Sequence, residues 1–246
     1  MTNESTEGNA QLLRGCIRNL RKKRCRRDFF FTESDRAKMG ATAVAAGLAG
    51  LGGVAAGLGG MAMDTAEEAD LVEFELDGKA IRAWLWVSVF REGDEIELVA
   101  EPNGDIWLGY GIRRISDGIV ALHPHCSRGR YAHYKASFSW FVKIVGSLLI
   151  ANFLLGAIVM YAKSLPLVEV VPFLLVSLAA SFALALTYGV IAYRTSMRFM
   201  GFVRLAEGVF RVFGWPDVQN IDLPAITKKS KKPGDPGALG ILFFRY

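Results

Sequence analysis

The chain has 246 residues, a net charge of +5 and an isoelectric point of about 9.1, with 52% hydrophobic residues. Its positive charge is modest and locally concentrated, a pattern that fits anionic lipid better than a dedicated nucleic-acid surface. Three cysteines, Cys16, Cys25 and Cys126, are odd in number and lack metal-finger spacing, which argues against a disulfide framework or a zinc finger.

Residues 1–11 are polar with no apolar signal core, so no cleavable leader is expected. Loose alternation over 12–20, with Leu13, Gly15 and Ile17 on one side, and a short apolar strand at Phe29–Phe31 predict a hairpin. Its tip would carry Arg21, Lys22, Lys23, Arg24, Arg26 and Arg27, either to attract phosphate headgroups or as a solvated loop. No aromatic residues interleave with these cations to stack on bases, and no nucleic-acid partner is assigned.

Thr32-Glu33-Ser34-Asp35 is a helix-start signal for residues 39–63, which carry no charge and consist almost wholly of Gly, Ala, Leu, Val and Met. Ala41, Ala45, Ala49, Gly53 and Gly57 recur every four residues, and Gly52, Ala56 and Gly60 form a second row. Such rows let helix backbones approach closely in lipid, whereas in water each glycine costs a helix about 1 kcal/mol relative to alanine. Membrane insertion or oligomerisation is the expected role; a flexible linker or a packed soluble helical hairpin is the alternative. Asp64, Glu67, Glu68 and Asp70 then close the segment with charges that are costly to carry into lipid.

From Leu71 the apolar period becomes two. Val72, Phe74 and Leu76, then Ile81, Ala83 and Leu85, then Ile96 and Leu98, then Ile106, Leu108, Tyr110 and Ile112 predict inward positions, with turns at Asp77-Gly78, Asn103-Gly104 and Ser116-Asp117-Gly118. Short antiparallel strands of this kind predict a small SH3-like or OB-like barrel, with the Gly-rich stretch inserted between two of its strands.

The junction carries His123, His125, Cys126 and His133 among Arg128 and Arg130. These are the right atoms for a soft metal or a nucleophile, but their spacing matches no standard site, so we expect a basic, membrane-proximal elbow with no metal. Walker, HExxH and nucleophile-elbow patterns are absent, and neither catalytic residue nor cofactor is assigned.

Residues 144–162 and 170–193 are uncharged, and the first run is about 28 Å long as a helix, close to the hydrocarbon thickness of a bilayer. A transmembrane hairpin across 144–193 is predicted, a pair of buried soluble helices being the other way to use such segments. Cations crowd both outer flanks, while the loop holds only Lys163 and Glu169, so both termini are expected in the cytoplasm of an inner membrane. Ser177, Ser181, Ala185 and Gly189 form a small-residue ridge for close helix packing, and Asn152 is the strongly polar residue deep in the first span, expected to make an interhelical hydrogen bond.

Residues 194–214 predict a basic amphipathic helix, with Arg198, Gly201, Arg204, Gly208 and Arg211 on one face, lying along the interface or docked on the barrel. Gly214-Trp215-Pro216 would stop it; a basic Pro/Gly linker and an apolar strand at 238–246 follow. The expected fold is therefore an α+β membrane protein. It comprises a β-barrel domain at 1–122 with a helical insertion at 33–69, a basic junction at 123–143, a hairpin at 144–193, an interfacial helix at 194–214 and a C-terminal linker and strand at 215–246.

The run Phe31-Thr32-Glu33-Ser34-Asp35 before the Gly/Ala stretch, the strand 71–77, the junction Pro124-His125-Cys126-Ser127-Arg128-Gly129-Arg130 and the tail Pro233-Gly234-Asp235-Pro236 carry a family likeness. In these the chain resembles bacterial type VI secretion system effectors. The resemblance implies a toxin delivered into a neighbouring bacterium, where it would depolarise the inner membrane. It also implies a cognate immunity protein and a secretion-apparatus component or chaperone as partner, while the small-residue ridges lead us to expect homo-oligomers in the bilayer. A non-toxic inner-membrane scaffold with a cytoplasmic barrel is the alternative, and a membrane-bound enzyme working at the His/Cys junction ranks last.

Overall fold

The structure is a computed structural model describing residues 10–27, 29, 67–163 and 167–246. The Gly/Ala-rich positions Ala45, Ala49, Gly52, Gly53, Gly57 and Gly60 lie outside the described residues. Eight strands are present among the described residues: β1 (Gln11–Cys16), β2 (Arg18–Arg27), β3 (Glu67–Leu76), β4 (Lys79–Leu85), β5 (Glu95–Asn103), β6 (Ile106–Arg114), β7 (Ile119–Leu122) and β8 (Phe244–Arg245). The helices described are α1 (Arg130–Lys163), α2 (Leu167–Arg198), α3 (Met200–Val212) and α4 (Leu223–Ser230). The chain is thus α+β, with a mixed sheet and two long apolar helices that could span a membrane. It divides into two units, one made of the residues up to Pro124 together with Leu223–Tyr246, the other of His125–Asp222.

In the first unit the strands run in the order β1-β5-β6-β4-β3-β2, with β7 paired to β6 and β8 to β7. The β4–β6 pair is parallel and the other pairs are antiparallel. Period-two burial follows the sequence: Val72, Phe74 and Leu76 on β3, Ile81, Ala83 and Leu85 on β4, and Ile96 and Leu98 on β5 share one core with Ile17, Phe90 and Phe243. Asp77 and Gly78 both adopt positive φ (48° and 75°), the geometry that a two-residue hairpin turn requires. The next hairpin turns on Gly104-Asp105, one residue later than expected, because Asn103 still pairs with Ile106. On β6 the expected inward set is only partly right. A register irregularity between Val99 and Ala100 shifts the strand, so that Ile112 and Trp107 meet the core while the Tyr110 hydroxyl donates to Glu101 instead, 3.1 Å away.

The hairpin with a basic tip is corrected. Residues 11–27 form two strands separated by Ile17 alone, and the cationic run lies within β2, in register with the acidic β3. Arg18 faces Glu75, Arg21 faces Glu73, Arg24 faces Asp70 and Arg27 faces Glu67. The Arg24 guanidinium lies 2.9 Å from Asp70, and the Lys22 ammonium donates to the Phe90 carbonyl. Opposite charges across an antiparallel pair stabilise it by a few tenths to about 1 kcal/mol each, so the cations that face acids of β3 contribute to strand pairing. The expected insertion at 33–69 also ends sooner, since Glu67, Glu68 and Ala69 already belong to β3.

At the other end β8, within the apolar stretch expected to form a strand, pairs with β7, while Leu239 and Phe243 enter the core. The segment before it is partly helical: α4 takes in Lys228 and Lys229. Arg245 holds Asp235 through both carboxylate oxygens, at 3.0 and 3.1 Å, which pulls the Asp235 carboxyl down to about 2.

On the outer face of the sheet Glu97 is nearly buried, between Arg14 of β1 and Arg113 of β6, both ion-paired to it. The Arg14 hydrogen bond holds the Glu97 carboxyl below its usual value. The triad therefore contributes fully above the ordinary carboxylate range and is lost as pH falls through the depressed value. Glu97→Gln is expected to cost about 1–2 kcal/mol near neutral pH and to remove this part of the acid sensitivity. Urea denaturation of the full chain in detergent, repeated at falling pH, measures both.

Candidate functional site in the helix pair and its elbow

Helices α1 and α2 have 34 and 32 residues, roughly 50 Å each at the helical rise, longer than a hydrocarbon layer of about 30 Å. Residues Arg130–Ala162 and Val170–Arg198 within them are apolar and long enough to cross a membrane. Both overrun the expected limits 144–193, since a flanking charge marks where lipid ends and not where a helix does. Residues 130–143 of the junction are thus helical, and α2 continues to Arg198.

The two helices meet along one narrow line. Asn152 donates through Nδ2 to Ser177 Oγ (3.2 Å) and Ser181 Oγ (3.0 Å), the interhelical hydrogen bond expected of it. A Cβ on Gly189 would lie 3.7 Å from the Phe141 ring, and one on Gly156 would lie 3.3 Å from Phe173. Ser177, Ser181, Ala185 and Gly189 are the half-buried positions of their part of α2. The small-residue ridge is therefore occupied by α1. Away from this line large apolar side chains point outward: Phe153 and Phe182 are 68% and 71% exposed, and Leu155, Ile158, Val176 and Leu178 are similar.

The start of α1 is held by groups far away in sequence. Glu207 of α3, only 3% exposed, accepts the Arg130 backbone N–H at 2.8 Å, and the Gln219 carbonyl accepts those of Tyr131 and Ala132. These acceptors satisfy N–H groups that every helix start leaves open, and the carboxylate suits the positive end of the helix dipole. The Glu207 carboxylate also lies 3.6 Å from the Arg130 guanidinium and 3.7 Å from that of Arg211. Arg128 pairs with Asp222 at 3.1 Å. Between them, Gly129 leaves no room for a side chain, since a Cβ there would fall 2.0 Å from the Val218 carbonyl oxygen. Arg128 and Arg130 thus have carboxylate partners, and the elbow is a structural joint. Glu207 escaped the sequence reading because it is a single acid in an apolar helix with partners distant in the chain.

The expected interfacial helix is α3, and its apolar side is not left for lipid. Val203, Ala206, Val209 and Phe210 are buried within the protein, while Arg204 and Arg211 stay exposed. Gly214, at φ 74°, ends it as expected: its N–H donates to the Arg211 carbonyl and that of Trp215 to Phe210, closing the helix.

Two of the junction residues, His125 and His133, pack on the same ring, that of Phe199. His123 belongs to the first unit and His125, Cys126 and His133 to the second. His133 Nε2 lies 3.0 Å from Ser196 Oγ, and the His125 ring packs on Phe199 and Phe202. Burial pushes the Cys126 thiol up, so it stays protonated at neutral pH and is a poor nucleophile. No group of three or more potential metal ligands occurs among the described residues.

Two variants test this geometry. Asn152→Leu is expected to weaken the α1–α2 contact by about 1 kcal/mol, read as a lower midpoint in detergent denaturation monitored by helix–helix energy transfer. Glu207→Ala is expected to cost about 1–2 kcal/mol and to speed amide exchange at Arg130, whereas Glu207→Gln, which keeps an acceptor oxygen, should lose less. In comparisons with known proteins, no family model, no curated protein and no solved structure matches the chain.

Proposed function

We propose that the chain is an integral protein of a bacterial inner membrane, in which α1 and α2 cross the bilayer as a hairpin and hold a β domain on the cytoplasmic side. The observation that carries this reading is the outward exposure of large apolar side chains along both helices, together with a core that the β unit builds for itself. The cation-rich flanks support cytoplasmic termini. We further read the sheet as a closed barrel of the OB type. Strands β1 and β2 act as two halves of one strand bent at Ile17, pairing with β5 on one side and β3 on the other, and β4 and β6 run parallel where such a barrel closes.

On this architecture the role best supported is that of a membrane-anchored adaptor or scaffold. The described small-residue ridge is taken up by α1, which leaves it unavailable for assembling subunits. The second reading is the type VI effector, which inserts, oligomerises and opens an ion pathway, with an immunity protein as its partner in the producer. The Gly/Ala run at 39–63 favours it, and the pairing of Arg27 with Glu67 ties both flanks of residues 28–66 to one place on the sheet.

Expression in a susceptible bacterium, with and without a periplasmic export signal, separates the two while membrane potential is followed. An effector collapses the potential, and Gly53→Leu with Gly57→Leu abolishes the leak because the bulky side chains hold the backbones apart. An adaptor leaves growth and potential unchanged in both arms. The shared membrane reading is checked by alkaline extraction, in which the protein is expected to stay with the membrane fraction.

A further inference from the structure

Two sets of cations in the second unit differ in their partners. Arg128, Arg130 and Arg211 are engaged by the carboxylates of Asp222 and Glu207, and Asp217 is engaged by Asn220. Lys135 and Lys143 of α1 and Arg194 of α2 are exposed and have no carboxylate partner among the described residues.

The antiparallel contacts fix where this second set lies along the helix pair. His133 meets Ser196 and the Tyr134 hydroxyl donates to Met197 Sδ at 3.9 Å, so Lys135 and Arg194 stand at nearly the same height. Phe141 meets Gly189 farther along, which puts Lys143 about two turns deeper. The Lys143 ammonium is turned back toward the start of α1, 5.5 Å from the centre of the Trp140 ring. This is how a lysine at the edge of an apolar span keeps its charge in the headgroup layer. Tyr131, Tyr134, Trp140 and Tyr193 are exposed around these cations, Trp140 and Tyr193 at 65% each, and such amphipathic rings settle at the membrane interface. Unmatched positive charge within an aromatic band is complementary to one feature of the surrounding medium, the phosphate of an anionic lipid.

We propose that Lys135, Lys143 and Arg194 hold anionic phospholipid headgroups, so that the protein selects anionic over zwitterionic lipid at this end of the helix pair. The proposal rests on the reading that α1 and α2 cross the bilayer and names the lipid class they select. Full-length protein in detergent micelles is titrated with equal amounts of phosphatidylglycerol and phosphatidylcholine, and retained lipid is counted by native mass spectrometry. The same protein is reconstituted into vesicles of each lipid and floated. The wild type is expected to retain phosphatidylglycerol roughly 10- to 100-fold over phosphatidylcholine. The triple variant Lys135→Gln, Lys143→Gln, Arg194→Gln should float as well as the wild type and lose most of that preference. The charge-keeping variant Lys135→Arg, Lys143→Arg, Arg194→Lys should restore it. A wild type that floats with both vesicles yet shows no preference, or a glutamine variant that keeps the preference, overturns the proposal while leaving the membrane reading intact. Failure of the wild type to float with either vesicle removes the membrane reading itself.

Discussion

The constraint on which this molecule depends is solvent. Along the α1–α2 contact line Asn152 meets Ser177 and Ser181, and Gly156 and Gly189 admit the rings of Phe173 and Phe141, while many large apolar side chains elsewhere on the two helices are exposed. Exposing most of a Phe, Leu, Ile or Val side chain to water costs roughly 1–2 kcal/mol. Six such residues, Phe153, Leu155, Ile158, Val176, Leu178 and Phe182, already approach the whole stability of an ordinary domain, about 5–15 kcal/mol. A helix pair built this way calls for cover on its outer face, and lipid is the cover proposed for it. Lipid would remove that cost, and it would also account for the nature of the contact line, because in a medium as apolar as leucine only close packing and hydrogen bonds such as those of Asn152 draw helices together.

The β unit answers to the opposite rule. Its core is apolar and its surface is knitted by ion pairs, of which the β2–β3 pairing and the Arg14–Glu97–Arg113 triad are the clearest. Exposed pairs of this kind are individually weak, but in an antiparallel register they also favour one pairing, since a one-residue slip would set Arg24 beside Ala69 or Leu71 instead of Asp70. One chain thus carries two halves, one suited to lipid and one to water. Its elbow, where Glu207 receives the first N–H of α1, marks where the second unit begins its long helix.

Much of this was legible in the residues. Period two and the Asp77-Gly78 turn placed β3 and β4 because strand alternation and hairpin geometry are local properties. The long apolar runs placed α1 and α2 for the same reason, as did Gly214 for the end of α3. Strand β2 was not legible: six cations in seven residues look like a solvated loop, and only the distant acids of β3 turn them into a strand. The burial of α3 was open for a similar reason, since an amphipathic pattern states that one side is covered and not by what. Where the chemistry was concerned, residue types without geometry left the junction open. His125 and His133 share the Phe199 ring, yet burial pushes the Cys126 thiol up and no group of three potential metal ligands occurs among the described residues.

The sheet takes its last strand from the far side of both long helices: β8, with Leu239 and Phe243 beside it, joins a core otherwise begun before residue 124. On the proposed membrane reading, α1 and α2 leave the ribosome for the bilayer while the domain ahead of them still lacks β8. On that reading connectivity orders maturation, with the helix pair entering the bilayer before β8 can pair with β7.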